Sequence, residues 1–220
     1  MESPSWYWKA REAPTEKEVL REIDRALAAG ADPNGLDADD WGNPLYWSTF
    51  GGLEAIVERL LAAGASPDTE RRGCESSLHV AVEMGHPRIL EVLLGAPCAK
   101  AIDSFDYLSR TPLMVAAELN DLESARRLIS AGADVNAHCD EKAGDTAIRV
   151  AAEFGHLEML RLLLLSGADP TIPGWMQLTA IHKAQLRSDA VGSEMLALMR
   201  ESRGFSDQEW LAQLLRNRAP

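Results

Sequence analysis

Short apolar runs recur along the chain at helical spacing, separated by breaks centred on glycine. Ile56, Val57, Leu60 and Leu61 form one run, and Met159, Leu160, Leu162, Leu163 and Leu164 another. Residues three and four apart share a helix face, so each run predicts an amphipathic helix that buries one stripe. Before each lies a second segment rich in small residues: Ala81, Ala116 and Ala117, Ala151 and Ala152. Gly51-Gly52, Gly85-His86, Asn120-Asp121 and Gly155-His156 separate the two. The repeated unit is therefore helix, tight turn, helix, then an extended loop.

The helix ends carry their own punctuation. NPLYWS at Asn43, SSLHVA at Ser76, TPLMVA at Thr111, TAIRVA at Thr146 and TAIHKA at Thr179 follow one another every 33 to 35 residues. Each opens with Asn, Ser or Thr, whose side-chain oxygen accepts from the orphan amides of a helix start. Pro44 and Pro112 come next, where a missing N–H costs nothing. Gly30-Ala31-Asp32, Gly64-Ala65-Ser66, Gly132-Ala133-Asp134 and Gly167-Ala168-Asp169 mark helix stops, with glycine supplying the left-handed residue. Small first helices allow close approach, so one unit cannot close a core but a stack of units can.

Thr111–Asn136 and Thr146–Pro170 resemble the ankyrin repeat, whose first helix carries a TPLHxA signature; the resemblance extends from about Thr15 to Met199. It implies an all-α ankyrin-repeat solenoid of helix-turn-helix repeats with extended hairpin loops, about five repeats plus caps. The expected organisation is an aromatic segment and capping half-repeat (1–40), repeats at 41–72, 73–107, 108–142 and 143–175, a degenerate fifth repeat (176–203) and a capping helix (204–220). Thr15-Glu16-Lys17-Glu18 opens the first cap as a capping box, and Ser206-Asp207-Gln208-Glu209 opens the last. Two departures stand out. The repeat at Ser76 reaches its glycine early, at Gly95, with Pro97 following and a shortened second helix expected. The last unit inserts residues 188–193 between its helices.

Charge narrows the partners. The formal net charge is −12, so nucleic acid and anionic membrane are repelled and a basic protein is attracted. No window is apolar enough to span a bilayer, and Met1–Pro14 lacks the pattern of a secretory signal. Cys74, Cys98 and Cys139 make an odd set without CxxC spacing, which favours a reducing, cytoplasmic setting.

Chemistry is hard to find. His79 and His182 fill the histidine of the signature, for which the resemblance implies a structural hydrogen bond. His86 and His156 follow the inter-helix glycine, a family-typical place. His138-Cys139 lacks the spaced second pair that a zinc site needs. No nucleophile elbow, dinucleotide fingerprint or P-loop occurs, so no catalytic residue, metal or cofactor is expected.

The resemblance implies a binding surface built from loop tips and the exposed face of the first helices. Glu83-Met84, Glu118-Leu119 and Glu153-Phe154 stand at equivalent positions there, with Phe50 in the first full repeat. They predict a column of glutamates beside a column of apolar residues on a concave face, suited to a basic partner with a hydrophobic anchor. Tyr107 and Trp175 each precede a helix cap by four residues, and Asp145 lies at another tip. The expectation is a monomeric, non-catalytic protein-binding module acting as adaptor or inhibitor. An immunity-type protein neutralising a basic toxin is one alternative. A structural subunit of a larger assembly, or an enzyme with a cryptic site in the terminal segments, are others.

Overall fold

The computed structural model describes residues 12, 15–35, 43–67, 75–96, 101–139, 144–174, 177–206 and 208–210. Residues 1–11 of the N-terminal aromatic segment, Cys74, Cys98, Trp175 and residues 211–220 lie outside them. Among the described residues the regular structure is helical, and no helix is long and apolar enough to cross a membrane. The chain divides into two compact units, Met1–Tyr107 and Leu108–Pro220.

In the first unit, α1 (Glu16–Ala28) precedes two helix pairs: α2 (Pro44–Phe50) with α3 (Glu54–Ala62), and α4 (Ser77–Glu83) with α5 (Pro87–Leu94). First helix packs on first helix, α2 on α4, and second on second, α3 on α5. The Thr15 hydroxyl accepts from the Glu18 amide at 3.3 Å and donates to its carboxylate at 2.7 Å, so Thr15 caps α1. The carboxylate meets the hydroxyl and not the Thr15 amide that the expected capping box would use. Val19 and Ile23 form its buried stripe, and Ile56, Val57 and Leu60 that of α3. Arg59 pairs with Asp24, and Arg88 reaches Glu54 at 3.0 Å, linking neighbouring second helices. These pairs are exposed and contribute little.

In the second unit, α6 (Pro112–Leu119) and α7 (Leu122–Ser130) are followed by α8 (Ala147–Phe154) and α9 (Leu157–Leu165), then α10 (Ala180–Leu186) and α11 (Ala190–Arg203). The first helices α6, α8 and α10 form one row and the second helices α7, α9 and α11 another. Ala116, Ala117, Ala151 and Ala152 are fully buried in the first row. Their missing bulk lets adjacent backbones approach, and apolar burial drives the association.

Each stop glycine works as its spacing predicts. Gly64, Gly132 and Gly167 have φ of 91°, 98° and 92°, and the alanine after each donates back to the carbonyl of Leu60, Leu128 or Leu163 at 3.0 Å. Gly95 is different. Its φ of −74° is right-handed, and it stands where the other second helices keep their last residue, so α5 is one residue shorter than α3. Counted from its cap at Ser76, the stop of this repeat would fall at Pro97, which lies outside the described residues. The insertion read at 188–193 is also smaller in the structure. Asp189 caps α11 by accepting from the Gly192 amide at 2.9 Å, and residues 190–193 are the first turn of that helix.

Successive loops are clamped by asparagine. The Asn34 amide donates to Gly64 O at 3.0 Å and accepts from the Ser66 amide at 2.8 Å. Asn136 repeats this on the next loop of its unit, at 3.3 Å to Gly167 O and 2.7 Å from the Asp169 amide. Removing the Asn136 side chain strands one donor and one acceptor. Asn136→Ala is therefore expected to destabilise by about 1–3 kcal/mol. Urea denaturation followed by circular dichroism measures it, and Asn136→Asp, which keeps the acceptor, should lose less.

Candidate protein-binding surface

The surface begins at the N-caps, because they set where each first helix ends. The side-chain oxygens of Asn43, Thr111, Thr146 and Thr179 accept from the amide three residues on. The residue at that third position closes the cap in several chemistries. Nδ1 of His79 accepts from the Ser76 amide at 3.2 Å, and Nδ1 of His182 from the Thr179 amide at 3.0 Å. Met114 offers its sulfur to the Thr111 amide at 3.4 Å. The Tyr46 side chain instead reaches across to the Glu75 carboxylate, with its hydroxyl at 3.2 Å. The histidines thus have the structural role that the resemblance implies.

Arg149 occupies the same slot in α8. A guanidinium has no acceptor to return to the cap. It is buried, paired with Asp145, 4.0 Å from Glu153, and its Nε lacks a partner. Burial pushes the Arg149 pKa down, while the Glu153 charge pulls it up. Gly174 closes over it, since a Cβ there would meet Arg149 Nε at 2.9 Å and Gly144 O at 3.0 Å.

Left-handed residues end the first helices at Gly52, Gly85, Asn120 and Gly155. The residue next in the turn of one repeat leans on the end of the first helix before it. His156 Nε2 donates to Glu118 O at 3.1 Å, and Arg187 Nη1 donates to Glu153 O at 3.3 Å. His86 lies over Gly52, where a Cβ would meet the imidazole at 3.0 Å. These contacts hold the helix ends in place. The side chains just ahead of them stand in solvent: Phe50 is 48% exposed, Met84 39%, Leu119 52% and Phe154 52%. Phe154 stacks on His156 with centroids 5.8 Å apart. Leu186, the last residue of α10, is 74% exposed and was not anticipated, because its position holds glutamate in three earlier repeats.

The glutamates are less simple than the sequence suggests. Glu83 is exposed in the first unit. In the second, Glu118 accepts from Arg110 at 2.8 Å, and Glu153 from Lys183 at 2.7 Å. Asp145, expected at a loop tip, is the half-buried counter-ion of Arg149. Arg187 pairs with Asp189 at 2.7 Å, which together with the cap bond from Gly192 holds the Asp189 pKa below its ordinary value. Tyr107 is strongly exposed in its loop. A separate open groove between α9 and α11 is lined by Arg161, Leu164, exposed Leu165, Leu198, Glu201 and Ser202.

Residues 78–174 match the family described as Ankyrin repeats (3 copies). Over those residues the chain is made of ankyrin repeats. A solved structure of the ankyrin repeat domain of Bcl-3, a unique member of the IkappaB protein family, superposes with a TM-score of 0.74 at 23% identity. That match covers 96% of this chain and 97% of the other, and shows the ankyrin-repeat solenoid fold. Among relatives by sequence, the NF-kappa-B p105 subunit of Gallus gallus is 34% identical over 113 residues, 50% of this chain and 11% of its own length. B-cell lymphoma 3 protein of Homo sapiens is 32% identical over 116 residues, 50% of this chain and 25% of its own. Protein lin-12 of Caenorhabditis elegans is 28% identical over 137 residues, 59% of this chain and 10% of its own. The ankyrin chain thus spans a quarter or less of the length of these relatives.

The slot of Arg149 yields a direct test. Gly174→Ala places a methyl against the guanidinium and the Gly144 carbonyl, and is expected to cost about 1–3 kcal/mol. In an Arg149→Met background the cost should shrink. Thermal unfolding of the two single variants and the double variant gives the coupling directly.

Proposed function

We propose that this chain is a non-catalytic protein-binding module, acting as adaptor or inhibitor through the ends of its first helices. The carrying observation is the repeated exposure of Phe50, Met84, Leu119 and Phe154 at the ends of otherwise buried helices. Large apolar side chains fixed at the ends of packed helices, Phe50 and Met84 in one unit and Leu119 and Phe154 in the other, are rigid anchors that lose little entropy on binding. Tyr107 adds an aromatic contact from a loop, and Glu83, Glu118 and Glu153 flank the anchors. The ankyrin repeats of residues 78–174 support the reading, and a nuclear factor subunit is among the proteins similar to this chain. A net charge of −12 favours a basic protein over nucleic acid or an anionic membrane. In this reading the chain acts in the cytoplasm as a monomer and needs no cofactor.

The test uses the apolar residues, because reversing Glu118 or Glu153 would set like charges against Arg110 or Lys183. Phe50, Met84, Leu119 and Phe154 are changed together to Ser. Their exposure predicts an unchanged fold by circular dichroism. Affinity purification from the source cells, followed by titration of the captured protein, should show binding weakened by at least about tenfold. Undiminished affinity in the folded variant would sink the proposal.

A further inference from the structure

We infer that Asn34 is a self-modification site, where the chain deamidates through the Gly35 amide and so releases its own first loop clamp. Five asparagines occur in the chain, and only Asn34 is followed by glycine. Glycine lacks the side chain that would hinder attack of its backbone nitrogen on the preceding carboxamide. The fold does not call for that glycine. Its φ lies outside the left-handed region, and an added Cβ would meet nothing closer than Asp32 O at 3.4 Å, an ordinary contact. In the reaction, Gly35 N gives its proton to hydroxide and bonds to Asn34 Cγ. The Cγ–Nδ2 bond breaks, ammonia leaves, and a five-membered succinimide remains. One water then opens that ring at either carbonyl, giving aspartate or isoaspartate.

The same carboxamide is structural. It donates to Gly64 O at 3.0 Å and accepts from the Ser66 amide at 2.8 Å, while the Gly35 N–H donates to Asp32 O at 3.3 Å. Both reacting groups are thus committed to other partners in the folded loop. Cyclisation brings Gly35 N against Asn34 Cγ, so the clamp must open first, and the rate is the intrinsic one multiplied by the open fraction. The fold is a brake. Once the reaction has run, the clamp has changed chemistry. A carboxylate has no N–H for Gly64 O and sets two acceptors against each other. Isoaspartate also inserts a methylene into the backbone of the turn. Asn136 makes the equivalent clamp at 3.3 and 2.7 Å, but Ala137 follows it and its methyl obstructs the attack. The first unit therefore carries a clamp that loosens irreversibly, and the second a durable one.

The full chain is held at mildly alkaline pH, folded in buffer or unfolded in guanidinium chloride, and its peptides are mapped by mass spectrometry. In the unfolded chain Asn34 should convert faster than Asn136. Folding should slow Asn34 by at least about tenfold. The converted chain, separated by anion exchange on its one extra negative charge, should unfold at a lower guanidinium concentration than the unconverted chain. Gly35→Ala should keep the unfolding midpoint and stop the conversion. Conversion of Asn34 no faster than Asn136 in the unfolded chain, or undiminished in Gly35→Ala, would overturn the site. Equal folded and unfolded rates would overturn the brake, and coincident midpoints of the converted and unconverted chains the release.

Discussion

A helix of seven or eight residues does not persist alone in water, and every first helix among the described residues is that short. Nucleating each one fixes several residues before propagation repays the cost, and isolated helices below roughly 12–15 residues are marginal. Burial against the neighbouring repeat therefore decides whether the helix exists. That constraint explains the complete burial of Ala116, Ala117, Ala151 and Ala152, where any larger side chain would hold the rows apart. It also explains the density of caps and clamps. With so few intrahelical bonds, the N-cap oxygens, the alanine amides after the stop glycines and the asparagine bridges make up a large share of the backbone accounting.

What the sequence disclosed followed from repetition. Caps at Thr111, Thr146 and Thr179 and stops at Gly64, Gly132 and Gly167 are local devices, readable because a few adjacent residues suffice to specify them. Comparison of equivalent positions also picked out Phe50, Met84, Leu119 and Phe154, which the structure leaves exposed. Three features escaped. The counter-ions of Glu118 and Glu153 come from the residue before a cap and from the following repeat, so no helical spacing announces them. Leu186 was overlooked because its register position holds glutamate elsewhere. The early glycine at Gly95 does mark a shortened second helix, but its right-handed φ was not legible, because spacing locates a glycine without specifying its backbone conformation.

The position three residues into each first helix shows how much latitude a repeat allows. Tyr46, His79, Met114, Arg149 and His182 all occupy it. Two histidines and a methionine close the cap locally, while Tyr46 and Arg149 look outward to another part of their unit. The helix needs only its N-cap oxygen and its buried neighbours. What fills the slot is then free to serve the junction instead of the helix.

Arg149 shows where that freedom leads. A stack of interchangeable units would carry no information about its own sequence of units. A guanidinium sealed under Gly174 and set beside Glu153, which Lys183 also holds, tolerates only a successor with a bare backbone at one point and a cation at another. The fourth repeat therefore selects the fifth. Shuffling, duplicating or deleting repeats at this junction would bury a charge against the wrong neighbour, so here the order of the units is encoded in the chain itself.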